Sequence, residues 1–415
     1  MALRQLLRAA RILTGHEEAP SFEGEVLIDG ATILGVGPRG SLPTGGVTLV
    51  QDFPDGTVLP GLIDAHVHVG FDRQSAVEVA ADPTADRTLL FRMVENARKL
   101  VAAGVTTARD LGCRSFLDIA LRDAIKDGLA VGPHLLAATR PLTVRRGHCW
   151  FMGGEAEGEA DLRRLARTNL DAGADCLKIM VTGGAMTPGG PPMWEAQYSV
   201  DEVRAVVEEA ARDHRHVAAH APGTAGIRVA AEAGVRTIEH CSFRTSAEID
   251  SGGVEDDVVQ VMLDHKVFVC PTFSGAFARF AGSLGQAVLD EVLGRVATLH
   301  AAGIPIIAGS DAGFYLRGLE NRADDYVAGL EMLADAGLSN TEVLAAATSV
   351  ASEALGVADV TGSLEPGKRA DVIVVDGDPV RELGALRNLQ LVLVSGRRVT
   401  QSAVDTVTSS LAPLE

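Results

Sequence analysis

The stretch Gly61-Leu62-Ile63-Asp64-Ala65-His66-Val67-His68-Val69 places two histidines one residue apart at the end of an apolar run. Successive side chains of a β-strand point to opposite faces, so Asp64, His66 and His68 are predicted to share one face. Two neighbouring imidazoles can bind one metal ion, and a carboxylate behind them can orient them. An isolated His-x-His pair also fits the plain polar face of an edge strand, so the rest of the chain has to distinguish these interpretations.

The segments that follow this stretch indicate an α/β fold. Strand-like runs alternate with helix-like runs of three- to four-residue apolar spacing, which is typical of parallel sheets. With the opening stretch there are eight strand candidates, and eight such units predict a (β/α)₈ TIM barrel. The other seven candidates are residues 105–110, 134–139, 175–181, 216–220, 237–240, 267–271 and 304–309.

The two ends of the chain have a different, β-rich character. Short strand candidates precede residue 57, with Asp29-Gly30 as a hairpin turn, and similar runs return after residue 355. We therefore predict a small β-sandwich domain formed by residues 1–56 and 356–415. The barrel domain, residues 57–355, is inserted between them.

Composition restricts the classes of partner. The 415 residues carry a formal net charge of -18, which argues against nucleic acid or an anionic membrane as a partner. The five cysteines have no regular spacing and are predicted to be reduced thiols. No apolar run reaches the length of a membrane span or a signal-peptide core, so a cytoplasmic protein acting on a small molecule is expected.

Metal-binding residue types recur at the ends of the predicted strands. In a barrel these ends meet at one mouth, where active sites are found. The metal-binding candidates are His66 and His68 on the first strand, Lys178 in the fourth, His220 and His240 at the ends of the fifth and sixth, and Asp311 after the eighth.

Lys178 is unusual because apolar residues flank it in a strand that should be buried. Burial disfavours its charged form. One interpretation is that Lys178 reaches the mouth and pairs with a carboxylate. The other is that it is neutral enough to react with carbon dioxide, which would turn it into an anionic carbamate ligand.

Taken together, these residues and the two-ended β-domain resemble the amidohydrolase superfamily over nearly the whole chain. The segments 147–155 and 182–189 are similar to the branch that contains metal-dependent prolidases and Xaa-Arg/Lys dipeptidases. That branch also includes hydrolases of N-acyl amino acids, carbamates and ureas. Homo-oligomers are common in the family, so the resemblance also implies a homo-oligomer.

The resemblance implies a centre of two divalent metal ions, with zinc as the default choice. His66, His68 and Asp311 would hold the more buried ion, and His220 and His240 the more exposed one. Carbamylated Lys178 and a hydroxide would bridge them. The hydroxide would attack the amide carbonyl, with Asp311 as general base and then general acid.

Residues in the loops after the third and fourth strands are expected to contact the substrate. His148 is a second catalytic candidate because it could donate to the carbonyl oxygen, although it could equally be a solvent-facing loop histidine. The aromatic and sulfur-containing side chains either line the pocket or only pack the loops onto the barrel. The predicted substrate-binding residues are His148, Trp150, Met186 and Tyr198, while Arg145, Arg146 and Arg317 could meet a carboxylate.

The sequence thus predicts a metal-dependent hydrolase of an amide-type C–N bond, acting on a dipeptide or an N-acyl amino acid. A carbamate or aryl-urea hydrolase on the same site is the first alternative. A deaminase or cyclic-imide hydrolase is the second, although Lys178 argues against a deaminase. A scaffold that lost its metals is disfavoured because all six ligand positions are filled.

Overall fold

The computed structural model describes residues 3–17, 19–71, 85–185, 187, 189–248, 251–313, 315–316 and 319–399. The strands in this part of the chain are β1 (Arg4–Ile12), β2 (Phe22–Asp29), β3 (Thr32–Pro38), β4 (Leu49–Pro60), β5 (Leu62–Val67), β6 (Val105–Asp110), β7 (His134–Ala137), β8 (Leu177–Met180), β9 (Val217–His220), β10 (Thr237–Glu239), β11 (Phe268–Cys270), β12 (Tyr315–Leu316), β13 (Leu319–Glu320), β14 (Val372–Asp376), β15 (Leu389–Val394) and β16 (Arg397–Arg398).

The α-helices of the same residues are α1 (Ala85–Ala102), α2 (Leu117–Lys126), α3 (Gly158–Asp171), α4 (Val200–Ala211), α5 (Thr224–Ala233), α6 (Asp256–Asp264), α7 (Gly275–Leu284), α8 (Gln286–Ala301), α9 (Tyr326–Asp335), α10 (Asn340–Ala346) and α11 (Ser349–Ala354). Short 3₁₀ helices cover Trp150–Met152, Ala323–Asp325 and Leu383–Arg387. None of the described helices is long and apolar enough to cross a membrane.

Both ends of the chain contribute to one seven-stranded sheet. Its order is β16-β15-β14-β4-β1-β2-β3, in which β1 and β4 run parallel and the other neighbours antiparallel. The hairpin predicted at Asp29-Gly30 is confirmed, because Asp29 pairs with Thr32 and Gly30 has a φ of 57°. The β-sandwich and the domain boundaries stay predictions.

Gly61 separates this terminal sheet from the strand that carries the histidine pair. β4 ends at Pro60 inside the terminal sheet, and β5 begins at Leu62 in a parallel sheet. A Cβ atom on Gly61 would lie 2.1 Å from Thr106 Oγ1, so only glycine fits where the chain changes sheets.

The central part of the chain forms parallel sheets, as the strand–helix alternation predicts. Strands β5, β6 and β7 form one sheet, and β8 to β11 form another in sequential order. β6 has the bounds of its sequence candidate, residues 105–110, and the other strands of these two sheets are shorter than their candidates. The alternation predicted for an α/β fold is confirmed.

Backbone contacts join the two parallel sheets. Leu142, after β7, forms a parallel bridge with Ile179 of β8. The predicted eighth strand, residues 304–309, is not an extended strand, but Ile306 bridges Val269 of β11. On its other side, Ala308 O accepts a 3.0 Å hydrogen bond from Ala65 N of β5.

The five cysteines are all buried and free, which confirms the prediction that they form no disulfides. The main core lies between the parallel strands and the surrounding helices and is built largely of Val, Leu, Ile and Ala side chains. This core fixes the strand ends from which the polar site residues extend.

Candidate metal centre

His66, His68 and Asp311 form a compact group at the ends of the first strand and the eighth segment. His66 Nε2 lies 3.3 Å from His68 Nε2, and Asp311 Oδ1 lies 3.4 and 3.3 Å from these two atoms. Both histidines are buried. The prediction that the His-x-His pair lies on one face holds for the two rings, which stand edge to face with centroids 5.2 Å apart.

Asp311 is positioned by its backbone. Its N–H donates to His66 O at 2.7 Å, and its φ of 57° is left-handed, which Asp tolerates better than most residues. Asn321 Nδ2 donates to the carbonyl oxygens of Ser310 and Asp311 at 2.6 and 2.8 Å. Asn321 was missed from the sequence because no local pattern connects it with residue 311.

His220 and His240 extend the group along the sheet. Their ring centroids are 4.6 Å apart, and the His240 ring lies 5.4 Å from the His66 ring. The residues predicted from separate strands are therefore brought together. Parallel strands with their carboxyl ends at one edge make this convergence possible.

The hydrogen bonds of His220 and His240 fix which nitrogen of each ring is free to bind a metal. His220 Nε2 lies 2.9 Å from Gly183 O, a carbonyl that can only accept, so Nε2 carries the proton. Thr272 Oγ1 donates to Pro271 O and therefore accepts from His240 Nδ1 at 2.8 Å. The unprotonated nitrogens, whose lone pairs can bind a metal, are therefore His220 Nδ1 and His240 Nε2.

Glu239 fixes the tautomer of His66. Glu239 Oε2 lies 2.7 Å from His66 Nδ1, while Oε1 accepts from Arg109 Nη2 at 2.8 Å and from Thr237 Oγ1 at 2.5 Å. Burial alone would raise the pKa of Glu239, but Arg109, His66 and Lys178 together outweigh it and hold the pKa below its usual range. An ionised Glu239 only accepts, so His66 Nδ1 donates and Nε2 has the free lone pair.

Asp64 acts differently from the expectation that it orients a ligand ring. Its carboxylate accepts from Ser310 Oγ at 2.5 Å, Ser310 N at 2.9 Å and the backbone N of His66 at 3.2 Å. It therefore ties the first strand to the segment before Asp311. Burial raises the pKa of Asp64 to about 7. The ring of His66 is oriented by Glu239 instead, which reaches it from β10 of the other parallel sheet.

Glu239 and Arg109 were missed from the sequence, although a signal was present. Both are charged residues in strand candidates of the predicted parallel sheet, as Lys178 is. The same reasoning that singled out Lys178 would have found them.

Lys178 is almost completely buried, with 1% of its surface exposed, and lines the same cavity as the histidines. Burial lowers its pKa, the Arg109 charge adds to this effect, and Glu239 opposes it. A lowered pKa increases the fraction of neutral amine, which is the form that reacts with carbon dioxide.

His148 is buried against His220, with ring centroids 4.5 Å apart, so the solvent-facing alternative is wrong. Burial, reinforced by His240 and Lys178, lowers its pKa to about 3. Its Nδ1 lies 3.4 Å from Thr187 Oγ1. A Cβ atom on Gly184 would lie 2.3 Å from the His148 ring, so this glycine makes room for it.

A cavity of about 680 Å³ contains this group. Its lining includes all six predicted ligands, His148 and Met193. Trp150 and Tyr198 do not line it, and the Tyr198 hydroxyl donates to Ala156 O at 2.9 Å, which packs a loop instead. Arg145 and Arg146 are exposed. Met186 and Arg317 lie outside the described residues.

The side chains fit divalent metal ions. His66 Nε2 and Asp311 Oδ1 lie 3.4 Å apart, and both are hydrogen-bond acceptors. His66 Nε2 is an acceptor because His66 carries its proton on Nδ1. Burial raises the pKa of Asp311, but its histidine neighbours lower it by more, so the carboxylate is ionised. Two lone pairs at this separation repel each other unless a cation lies between them. His66, His68 and Asp311 together could hold a metal ion. Nitrogen and oxygen ligands of this kind suit Zn, Mn, Co, Fe or Ni.

Comparison with known proteins gives the family of this α/β fold with its group of metal-binding side chains at the strand ends. The chain belongs to the amidohydrolase family, whose sequence model matches residues 57–399, and is therefore a hydrolase acting on C–N bonds. An ochratoxinase from Aspergillus niger is 27% identical, in an alignment that covers 91% of this chain and 82% of the ochratoxinase.

Solved structures agree with this family. A Xaa-Pro dipeptidase with bound methionine in its active site superposes with a TM-score of 0.82 at 26% identity, covering 95% of this chain and 99% of that one. Phenylurea hydrolase B has a TM-score of 0.83 at 20% identity, covering 97% and 98%, and shows the shared fold alone.

Proposed function

We propose that this protein hydrolyses an amide bond of a dipeptide or N-acyl amino acid at a two-metal centre. The observation that carries the proposal is the convergence of four histidines, Lys178 and Asp311 on one cavity. His66, His68 and Asp311 would hold one ion, and His220 Nδ1 and His240 Nε2 the other. Lys178, once carbamylated, would bind both.

The bound ions would supply Lewis acidity for the substrate carbonyl and lower the pKa of a water molecule toward neutrality. Asp311 takes a proton from the attacking water and transfers it to the departing nitrogen, so that a neutral amine leaves. His148 is neutral, buried and beside His220, and it donates a hydrogen bond to the developing oxyanion. The C–O bond forms first and the carbonyl oxygen takes up the negative charge, and the C–N bond breaks when the nitrogen receives the proton and the carbonyl re-forms.

We also infer that the central strands close into a (β/α)₈ barrel and that the chain ends form a separate β-domain. The bridges from Leu142 to Ile179 and from Ile306 to Val269, with the hydrogen bond from Ala65 to Ala308, support closure. The division near residue 57 falls within β4, so Gly61 is the better boundary on the amino-terminal side.

Metal analysis combined with a substrate panel tests the proposed function. The purified protein is expected to contain up to two divalent ions per chain, and chelation should abolish hydrolysis until a metal is returned. The panel contains dipeptides, N-acyl amino acids, carbamates and aryl ureas. Full activity in metal-free protein would refute the metal mechanism, and hydrolysis of only the carbamates or ureas would refute the amide assignment.

A further inference from the structure

The cavity extends beyond the metal-binding residues along one face of helix α7. Phe273, Phe277, Phe280 and Leu284 line it, at intervals of three or four residues. This spacing puts Phe277, Phe280 and Leu284 on one side of the helix, and Phe273 lies two residues before its first residue. The rings of Phe273 and Phe277 are stacked with centroids 5.6 Å apart. One apolar helix face is therefore turned toward the cavity.

Helix α8 provides a second apolar face. Val288, Val292 and Val296 line the same cavity and repeat every four residues. Arg295 lies beside them, but its guanidinium donates to Ser242 O at 2.7 Å and Gly252 O at 2.9 Å. The wall between the two helices is thus made mainly of hydrocarbon.

This apolar wall starts at the metal-binding residues and ends near the surface. Thr272, which fixes the His240 ring, directly precedes Phe273. At the far end, Leu284 is 46% exposed. A helix rises about 1.5 Å per residue, so α7 extends roughly 15 Å from its first to its last residue. The cavity is long enough for a chain-like group that reaches from the reacting carbonyl to solvent.

We propose that the space between α7 and α8 is a binding subsite for the acyl part of the substrate, and that this acyl group is uncharged, apolar and extended. The inference rests on the proposed function. Because Asp311 delivers the proton to the departing nitrogen, the nitrogen lies on the side of Asp311, His66 and His68. The acyl group then extends past His240 toward Phe273. Long-chain or arylalkyl N-acyl amino acids form the predicted substrate class.

Kinetics on a homologous series test this proposal. N-acyl alanines with acyl chains of two to ten carbons keep the leaving group constant. Burial of each methylene is expected to raise kcat/KM by up to about fourfold until the chain reaches Leu284. The proposal would be overturned if kcat/KM stayed constant or fell as the acyl chain lengthened. It would also be overturned if, in a matched series with varied amines, kcat/KM rose only with the size of the amine. Hydrolysis of the acetyl compound alone would leave the proposed function standing.

A direct binding measurement separates the subsite from the chemistry. Alkanols of four to ten carbons carry no charge and cannot be hydrolysed, so calorimetric titration of the whole protein reports apolar binding whether or not amides are cleaved. Affinity should rise with each methylene. Chain-length-independent binding would overturn the subsite, whereas rising affinity without amide hydrolysis would overturn only the proposed function.

Variants locate the subsite. Val288→Thr, nearly equal in size, should weaken binding of all but the shortest chains. Leu284→Gln should lower kcat/KM progressively more as the acyl chain lengthens, by several-fold for the eight- and ten-carbon acyl groups. Leu129→Gln is the matched control, since Leu129 is 83% exposed and does not line the cavity. An equal effect of Leu284→Gln on all chain lengths would contradict the assignment.

Discussion

Glu239 is a buried residue whose influence reaches the metal centre through another side chain. It connects Arg109 with His66, and its charge decides which His66 nitrogen is free. Such outer contacts orient a ligand and raise its basicity. The buried Arg109 in turn needs this carboxylate, because an unpaired guanidinium in the interior is strongly destabilising. Orientation and stability are therefore coupled at this one residue.

We expect Glu239→Gln to weaken metal binding by roughly 10- to 100-fold, because an amide no longer fixes the His66 tautomer. Metal affinity is measured by competition with a chelator. The double variant Arg109→Met with Glu239→Gln removes the unpaired charge and should recover stability without recovering affinity. Glu209→Gln is the control, since Glu209 is 3% exposed and pairs with arginines on the outer helices. Wild-type affinity in Glu239→Gln would contradict this role.

Gly184 gives a steric test of His148. Its φ is ordinary, so Gly184→Ala adds only a Cβ atom 2.3 to 2.4 Å from the His148 ring and forces that ring to move. We expect kcat to fall about 10- to 100-fold, as displacement of a catalytic group by an ångström does, while the bound metal is retained. Gly253→Ala, where nothing lies within 4 Å, is the matched control. An unchanged kcat would exclude His148 from catalysis.

At the scale of elements, the loops at the strand ends are held by buried carboxylates that accept backbone hydrogen bonds. Asp118, in the first turn of α2, accepts from Thr139 N at 2.7 Å and Ile119 N at 3.0 Å. Thr139 itself has a φ of 61° just after β7. The carboxylate thereby fixes the start of the loop that carries His148. Burial, with a further contribution from Asp110, raises the pKa of Asp118 to about 7.

The raised pKa of Asp118 predicts a pH dependence of stability. Its folded pKa exceeds the ordinary value of 3.8, so its stabilising contribution is complete below about pH 4 and is lost as pH rises through about 7. The free energy of unfolding in urea should fall from pH 5 to pH 8 by more in the wild type than in Asp118→Asn, which cannot ionise. An identical fall in both proteins would show that Asp118 is not the titrating group.

At the scale of the whole molecule, the terminal sheet and the central sheets share continuous chain segments. β14 lies between β15 and β4, and β4 passes through Gly61 into the strand of His66. Arg369, which pairs with Asp371, also donates to Thr107 Oγ1 of β6 at 3.2 Å. These connections predict that both parts unfold as one cooperative unit.

Val374→Ala tests that cooperativity. Val374 is fully buried in β14, and its truncation should remove about 2 kcal/mol of unfolding free energy. Trp150 and Trp194 are the tryptophans of the chain and lie in its central part, so their fluorescence reports on the region around the cavity. Their urea transition should shift by the full amount, and Val360→Ala, at a 45% exposed position, should leave it nearly unchanged. An unshifted transition would mean that the two parts unfold independently.

The sequence by itself determined the alternation of strands and helices and the residues that can bind metal, because both depend on local patterns. The period of two in β5 and the charged or imidazole side chains at strand ends can be read from short segments. This was enough to name His66, His68, Lys178, His220, His240 and Asp311, all of which line the cavity.

Only the tertiary structure decided which neighbours orient these residues and what surrounds the reacting bond. Glu239 reaches His66 from a strand 173 positions away, and Asn321 holds the backbone of Asp311 from a later loop. Tyr198, expected at the substrate, instead packs a loop through Ala156. Contacts of this kind depend on packing between distant segments, and the hydrogen-bonding capacity of a single residue does not specify its partner. From the sequence, the apolar faces of α7 and α8 cannot be distinguished from helix faces that pack into the core. Only the structure shows the cavity that they line.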